Sequence, residues 1–171
     1  MNKEAEIRTI EQHRTLLINM VNEKMDALVQ AVENGETDGA STKEYEYPLS
    51  SDPKYFKGTK PTALIIDGER IAVNTWRKVY TEVLTRANAD PEVHKVLMQL
   101  RNRLSGRKRT MLSDKPDGMN VPIMLSEGLY AEAYFDTEWL LRTLFEQILK
   151  YTPYDYTGIF VTTITNKRYS K

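Results

Sequence analysis

The residues with the clearest chemical potential form a basic cluster in the second half of the sequence. Five positive charges fall within nine residues, at Arg101, Arg103, Arg107, Lys108 and Arg109. A helix is predicted to end here, and the helix dipole favours basic side chains at that end, which accounts for the first two. The run from Arg107 to Arg109 exceeds that need, and guanidinium groups bind phosphate oxygens in bidentate fashion. Three interpretations stay open: contact with nucleic acid or another polyanion, contact with an acidic protein, and a solvated loop.

The carboxylates and histidines do not form a recognisable catalytic arrangement. Asp136 occupies a predicted helix N-cap, Glu138 falls in the first turn of that helix, and Glu132 is expected on the polar face of a strand. His13 and His94 are 81 positions apart, and neither has a serine placed for a catalytic triad. The absence of cysteine excludes disulfides, thiol nucleophiles and thiolate zinc sites. We therefore predict that the protein is not an enzyme and uses no cofactor and no metal.

The aromatic residues fall into two groups. Trp76 and Trp139 each lie in the first turn of a predicted helix, and both are expected to anchor the core. A second group lies in predicted loops at two distant places in the sequence: Tyr45, Tyr47, Tyr55, Tyr151, Tyr154 and Tyr156. Tyrosines in such positions are typical of contact residues, and packing of the linker against the domain explains them equally well.

The composition is that of one ordinary globular domain with an appendage. The chain has 171 residues, 40% hydrophobic and 28% charged, with 24 basic and 24 acidic residues. A net charge of zero lacks the basic excess of a dedicated nucleic-acid binder and the acidic excess of a DNA mimic, so either role must come from local patches. No run approaches the roughly 18 apolar residues of a membrane span. The charged start is unlike a signal peptide, so we expect a cytoplasmic protein without membrane contact.

Residues 1–34 are predicted to form an amphipathic helix of the coiled-coil type. A single stripe runs along it, with a charged residue at one seam position: Ile7, Ile10, Arg14, Leu17, Val21, Met25, Leu28 and Val32. Gly35 is a natural C-terminal stop. Two interpretations stay open, because the helix either folds back onto its own domain or pairs with a second copy or another helical protein.

The remaining chain is predicted to contain a linker, one compact domain and a tail. Residues 35–60 form a polar linker and an irregular segment, since they carry glycines and prolines without a hydrophobic period. The compact domain spans 61–165, and residues 166–171 form a frayed basic tail.

The elements of the compact domain predict an α+β fold. Asp67-Gly68 indicates a hairpin, Asn74 or Thr75 and then Asp90-Pro91 open two helices, and Asp136 opens a third. A meander of three strands precedes the third helix, and a closing strand follows it. Because the strands are grouped rather than alternating with helices, we expect one antiparallel sheet, built from hairpin, meander and C-terminal strand, packed with about three helices.

Several short segments of this domain recur in a known context. They are Phe56-Lys57-Gly58-Thr59-Lys60-Pro61, Asp67-Gly68, Asn74-Thr75-Trp76-Arg77, Gly128-Leu129-Tyr130-Ala131-Glu132 and Leu149-Lys150-Tyr151. With this layout, residues 56–164 resemble a small domain of bacterial phage and mobile-element proteins that is sometimes appended to restriction or defence proteins. The resemblance carries no catalytic residue. It implies a setting of defence, counter-defence or DNA transactions on mobile elements.

These observations together predict a non-enzymatic binding module of phage or mobile-element type. It would oligomerise or dock through the N-terminal helix and contact nucleic acid, a ribonucleoprotein or a nucleic-acid enzyme through the basic cluster. One specific form is an inhibitor of a host defence nuclease, of the anti-CRISPR or anti-restriction type. The alternative is a scaffolding protein that recruits a partner through the N-terminal helix and in which the basic cluster is incidental.

Overall fold

The computed structural model describes residues 43–104 and 110–165. The chain divides into two units, Met1–Thr42 and Lys43–Lys171, and all described residues belong to the second. The predicted N-terminal helix with its seam therefore lies outside the described residues, as do Arg107, Lys108, Arg109 and the predicted tail.

The first sheet contains four antiparallel strands in the order β1-β7-β2-β3. These strands are β1 (Tyr45–Pro48), β2 (Thr59–Ile66), β3 (Glu69–Ala72) and, at the C-terminal end, β7 (Phe160–Thr165). The hairpin between β2 and β3 turns at Asp67 and Gly68, whose φ angles of 52° and 77° are those of the turn that an Asp-Gly pair favours. The predicted hairpin is thereby confirmed.

Two helices follow the hairpin, and each begins at a residue that caps it. In α1 (Trp76–Ala89) the Thr75 side chain accepts from the Lys78 N–H, and in α2 (Pro91–Leu100) the Asp90 side chain accepts from two backbone N–H groups. The second helix ends where Asn102 adopts a left-handed conformation with φ of 61°. The apolar face of α1 is buried, as its helical spacing predicts.

The second sheet contains three antiparallel strands in the order β4-β6-β5. They are β4 (Leu112–Ser113), β5 (Pro122–Ser126) and β6 (Leu129–Glu132). The prediction of one sheet is therefore wrong in this respect, although the α+β class, the antiparallel pairing and the three helices are confirmed. The predicted meander is also wrong in its strand order, because β6 lies between β4 and β5 and pairs with both, so β4 and β5 are not adjacent in the sheet.

The last helix changes character along its length. It begins as α3 (Thr137–Arg142), capped by Asp136, continues as a π-helix over Thr143–Ile148, and ends in a 3-10 turn at Leu149–Tyr151. Side chains from both sheets and all three helices form one core, which includes Leu64, Val83, Leu129, Leu141 and Val161. Among the described residues, no helix combines the length and apolar character needed to cross a bilayer.

The compact unit begins earlier than residue 61. β1 and a 3-10 turn at Pro53–Phe56 lie within the predicted linker and irregular segment, and β2 begins at Thr59. β1 is held by pairing with β7, for example Tyr47 opposite Val161, and the Phe56 ring is fully buried. The linker prediction missed this strand because β1 has no buried face of its own and depends on a partner far away in sequence.

Candidate polyanion-binding cleft

A cleft of about 440 Å³ is lined by the start of β2, the start of α1 and the start of α3. We call it the basic cleft. Its lining contains Thr59, Lys60, Pro61, Asn74, Thr75, Trp76, Arg77, Ala133, Phe135, Thr137 and Leu140. Pro61, Trp76, Ala133 and Leu140 are buried, whereas Lys60, Asn74, Thr75 and Arg77 are exposed. The cleft therefore combines apolar residues with exposed polar and basic ones.

The β2–β3 hairpin brings the two basic residues of the cleft together. Its antiparallel register places Ala63 opposite Ala72, and the Val73 N–H donates to the Thr62 carbonyl at 3.1 Å. The chain that leaves β3 and enters α1 therefore runs beside the start of β2. A second bond fixes this approach, since the Trp76 indole Nε1 donates to the Thr59 carbonyl at 3.0 Å. Lys60 follows Thr59 and Arg77 follows Trp76, so both cations lie at the same cleft.

The charges of the basic cleft are unbalanced. None of the described residues that line it is a carboxylate. In the described part of the chain, Lys60 and Arg77 form no salt bridge, whereas Arg70, Arg86 and Arg142 pair with glutamates. Two cations without counter-charges, together with hydroxyl and amide groups, are suited to binding an anion.

A second cleft of about 330 Å³ offers a contrast. It is lined by Ser50, Ser51, Pro53, Phe145, Glu146, Lys150 and Tyr156. Here one lysine is accompanied by one glutamate, and Glu146 also pairs with Arg142 at 3.0 Å. Because its charges are mixed, this cleft has no preference for an anion.

One wall of the basic cleft is held by a buried carboxylate. Glu132 is fully buried at the end of β6, and its two oxygens accept four backbone N–H groups at 2.7–3.0 Å, from Asn120, Val121, Ala133 and Tyr134. Burial alone would raise the pKa of this carboxyl group, but the four hydrogen bonds outweigh burial and lower the pKa below its usual value. The prediction that Glu132 lies on the polar face of its strand is wrong, because the carboxylate turns inward to backbone donors.

A second buried polar group lies close to this carboxylate. Tyr80 on α1 is fully buried, and its hydroxyl has no hydrogen-bond partner among residues 43–104 and 110–165. Burial and, to a smaller degree, the charge of Glu132 raise the pKa of the Tyr80 phenol. Both effects disfavour the phenolate, so the group is neutral and has the character of a packing residue.

The described residues on either side of positions 105–109 are joined by backbone hydrogen bonds to the end of β6. The Leu104 carbonyl accepts from the Met111 N–H at 2.7 Å, and the Met111 carbonyl accepts from the Glu132 N–H at 2.9 Å. Ala133, the next residue, lines the cleft. Leu104 and Met111 are thus connected to the strand end that precedes Ala133, but neither of them lines the cleft.

The two described arginines of the cluster have different environments. Arg101 is half-buried, and its Nη1 donates to the Gly128 carbonyl at 2.9 Å, which joins the end of α2 to the β5–β6 turn. Arg103 is exposed, and its backbone N–H bonds to the Leu100 carbonyl at 3.1 Å. Arg103 is thus open to solvent, while Arg101 has a partner within the fold.

The two tryptophans differ, contrary to expectation. Trp76 is a core residue with 7% exposure, and its ring packs on Phe56 at a centroid distance of 5.0 Å. Trp139 is 55% exposed, so the prediction that it anchors the core is wrong. The neighbouring positions Leu140 and Leu141 take the buried face of α3 instead. Of the loop tyrosines, Tyr55 and Tyr151 are the most exposed, at 71% and 55%.

His94 and Asp136 each make a structural hydrogen bond among the described residues. His94 Nδ1 lies 2.9 Å from Asn88 Oδ1, which joins α2 to α1. Asp136 accepts from the Trp139 N–H as a helix cap, as predicted. In residues 43–104 and 110–165, no three acidic or histidine side chains are grouped to hold a metal ion.

Lys60 and Arg77 were not identified as site residues from the sequence. Both belong to the segments that carry the resemblance, but they are 17 positions apart and neither lies in a charge run. The available signal is the Asp67-Gly68 turn, since a two-residue hairpin fixes the register and places the residues before β2 beside those after β3.

Comparison with protein-family models, curated proteins and solved structures finds no match.

Proposed function

We propose that this protein is a non-enzymatic module that binds nucleic acid through its phosphate backbone at the basic cleft. The observation that carries the proposal is the pair Lys60 and Arg77, two cations on one cleft that, among the described residues, have no salt-bridge partner and no carboxylate beside them in the lining. Cations placed in this way contact phosphate oxygens, and the counterions that they release from nucleic acid supply the affinity.

The distribution of charge along the chain supports the same proposal. Residues 43–171 contain 20 of the 24 basic residues and 16 of the 24 acidic residues, whereas residues 1–42 contain four basic and eight acidic ones. The zero net charge of the whole chain thus combines an acidic N-terminal part with a basic remainder. A polyanion approaching the second unit meets a basic protein.

The basic cluster belongs to the proposed contact surface. We include Arg103, Arg107, Lys108 and Arg109 because five basic residues fall within positions 101–109 of the same basic unit. They would extend the phosphate contacts beyond Lys60 and Arg77. The phage or mobile-element setting, with a host nucleic-acid enzyme as one form of the target, belongs to the proposal through the sequence resemblance alone.

The test is direct binding to fluorescent 20-nucleotide DNA and RNA, measured by anisotropy on the full chain. We expect Lys60→Ala/Arg77→Ala to weaken binding about 10-fold or more at low salt, uniformly across sequences, because phosphate contacts carry no sequence information. The matched control is Lys95→Ala/Lys115→Ala, which removes two exposed lysines that do not line the cleft.

The control variant is expected to bind within about twofold of the wild type, since its lysines act only through the long-range field. If both double variants lost the same affinity, the loss would come from the change in net charge and not from the cleft. An unchanged affinity in Lys60→Ala/Arg77→Ala would contradict the proposal.

A further inference from the structure

Backbone hydrogen bonds and one aromatic contact bring together the segments that line the second cleft. The Leu49 N–H donates to the Ile159 carbonyl at 2.8 Å, and the Ile159 N–H donates to the Tyr156 carbonyl at 3.3 Å. Residues 50–51, which follow Leu49, and Tyr156 both line the cleft. The Tyr156 ring packs on the Phe145 ring at a centroid distance of 4.9 Å, which joins this side of the cleft to the π-helix.

The π-helix contributes two consecutive lining residues of different character. Phe145 is buried and Glu146 is exposed, and both line the cleft. Both belong to the π-helical stretch Thr143–Ile148. Such stretches are rare and occur frequently at functional sites. The second cleft is therefore a candidate binding site by its backbone as well as by its shape.

The apolar part of the second cleft is partly open to solvent. Pro53 and Tyr156 are half-buried, so each keeps some apolar surface in contact with water, and the Phe145 ring supports Tyr156 at an interplanar angle of 51°. A further apolar or aromatic group placed here would extend an existing aromatic pair and would itself be removed from water. This part of the cleft suits a large apolar side chain.

Two opposite charges line the second cleft without pairing to each other. Glu146 and Lys150 are four positions apart, a spacing at which charged side chains of an α-helix are neighbours, but they form no salt bridge with each other. Glu146 accepts through Oε1 from Arg142 at 3.0 Å, and among the described residues its Oε2 and the Lys150 ammonium have no partner. A free carboxylate oxygen and a free ammonium on one cleft are suited to a ligand that carries an ammonium and a carboxylate.

We propose that the second cleft binds a free α-amino acid with a large apolar side chain. The Lys150 ammonium contacts the α-carboxylate, with the hydroxyl groups of residues 50–51 as further donors, and Glu146 contacts the α-ammonium. The apolar side chain lies against Pro53 and Tyr156. The volume of about 330 Å³ is at the lower end of the range for small-molecule sites, about 300–1,000 Å³, so it suits one amino acid better than a peptide. This site is separate from the basic cleft and does not depend on the proposed function.

The experiment is isothermal titration calorimetry of the full chain with L-phenylalanine as the probe. Two derivatives separate the charged contacts, since N-acetyl-L-phenylalanine lacks the ammonium and L-phenylalanine amide lacks the carboxylate. We expect each derivative to bind about 10-fold more weakly than L-phenylalanine, because each loses one hydrogen-bonded contact with a charged group. Glycine, which has both charges and no side chain, should also bind more weakly, since it leaves the apolar part of the cleft in water.

Two substitutions of exposed residues assign the contacts. Lys150→Ala should weaken binding of L-phenylalanine about 10-fold and leave the affinity for the amide unchanged, because the amide makes no carboxylate contact. Glu146→Gln should weaken binding of L-phenylalanine to a similar degree and leave the affinity for the N-acetyl derivative unchanged. The matched controls are Lys95→Ala and Glu127→Gln, which change exposed residues outside the cleft lining and should bind as the wild type does.

Absence of L-phenylalanine binding at millimolar concentration would overturn this proposal. Undiminished binding of N-acetyl-L-phenylalanine would likewise overturn it, because the cleft would then accept the C-terminus of a peptide, and undiminished binding of the amide would indicate a peptide N-terminus instead. Equal losses in the control variants would assign the effect to net charge and contradict the proposal. None of these outcomes bears on nucleic-acid binding at Lys60 and Arg77.

Discussion

At the scale of single residues, two buried polar groups near the cleft wall have opposite effects on the stability of the fold. Glu132 is fully buried and accepts four hydrogen bonds from backbone N–H groups, whereas the buried hydroxyl of Tyr80 has no hydrogen-bond partner in the described part of the chain. A buried carboxylate that accepts several hydrogen bonds stabilises the fold, and a buried hydroxyl with no partner costs free energy. Their substitutions should therefore act in opposite directions.

Glu132→Gln is expected to lower the free energy of unfolding by about 2–4 kcal/mol at pH 7, because an amide NH₂ then faces backbone donors. The pKa of Glu132 is lower in the folded chain than in the unfolded chain. The stabilisation that Glu132 gives the fold is therefore complete above the unfolded pKa of about 4.3 and is lost as the pH falls through the folded pKa. Urea unfolding at pH 7 and pH 3 measures the difference between variant and wild type, which should shrink at the lower pH.

The matched control for this variant is Glu127→Gln, an exposed residue in the turn two residues before β6 begins. It should change stability by less than about 0.5 kcal/mol at either pH. A Glu132→Gln protein as stable as the wild type at pH 7 would show that the four hydrogen bonds contribute nothing.

Tyr80→Phe removes the hydroxyl without partner and is expected to leave stability unchanged or raise it by up to about 1 kcal/mol. The pKa of the phenol is higher in the folded than in the unfolded chain. The wild type should therefore lose stability as the pH rises above the unfolded value of about 10, and this loss should be smaller in the variant. Denaturation at pH 8 and pH 11 compares the two proteins. A loss of more than 1 kcal/mol at pH 8 would indicate that the hydroxyl has a partner.

At the scale of elements, the turns and caps follow local rules that the sequence displays. Thr75, Asp90 and Asp136 cap the three helices, and Asp67-Gly68 forms the hairpin turn, all as expected from residue type. Each of these features is decided by a few adjacent residues. Such features are the ones that a sequence pattern predicts well.

Features that depend on distant partners could not be predicted in the same way. The division into two sheets depends on β1 and β2 pairing with β7 at the opposite end of the unit, and no local pattern encodes that pairing. Glu132 occupies a position that alternation assigns to the polar face, and only the backbone donors of another loop, at Asn120 and Val121, draw it inside. The polarity of a side chain alone did not reveal this contact.

Alanine substitutions at two glycine turns distinguish the cost of backbone strain from the cost of a steric contact. Gly68 and Gly128 have similar φ angles, 77° and 67°. A Cβ added at Gly128 would lie 3.3 Å from Arg101 Nη1, whereas a Cβ added at Gly68 would have no atom within 4 Å. We expect Gly68→Ala to cost about 1–2 kcal/mol from the left-handed conformation, and Gly128→Ala to cost about 1 kcal/mol more through loss of the Arg101 hydrogen bond.

Thermal or urea unfolding in an Arg101→Ala background provides the control for the glycine pair. Without the guanidinium group, the two glycine substitutions should cost the same. An excess at Gly128 that persists in this background would assign the effect to the β5–β6 turn itself rather than to Arg101.

At the scale of the whole molecule, the basic cleft brings together parts of the chain that are separate in sequence. The start of β2, the start of α1 and the start of α3 each contribute lining residues. The sequence predicted the cluster and missed the cleft, because charge runs are visible in a sequence and the meeting of Lys60 with Arg77 requires the fold. Binding of a polyanion at this place is the central claim.

The salt dependence of single-strand binding tests that claim most directly. The logarithm of the binding constant, plotted against the logarithm of salt concentration, should fall with a slope that becomes shallower by about 0.7 for each phosphate-contacting cation removed. Lys60→Ala/Arg77→Ala should therefore reduce the slope by about 1.4, and the control Lys95→Ala/Lys115→Ala should leave it unchanged. A slope in Lys60→Ala/Arg77→Ala identical to that of the wild type would contradict the account.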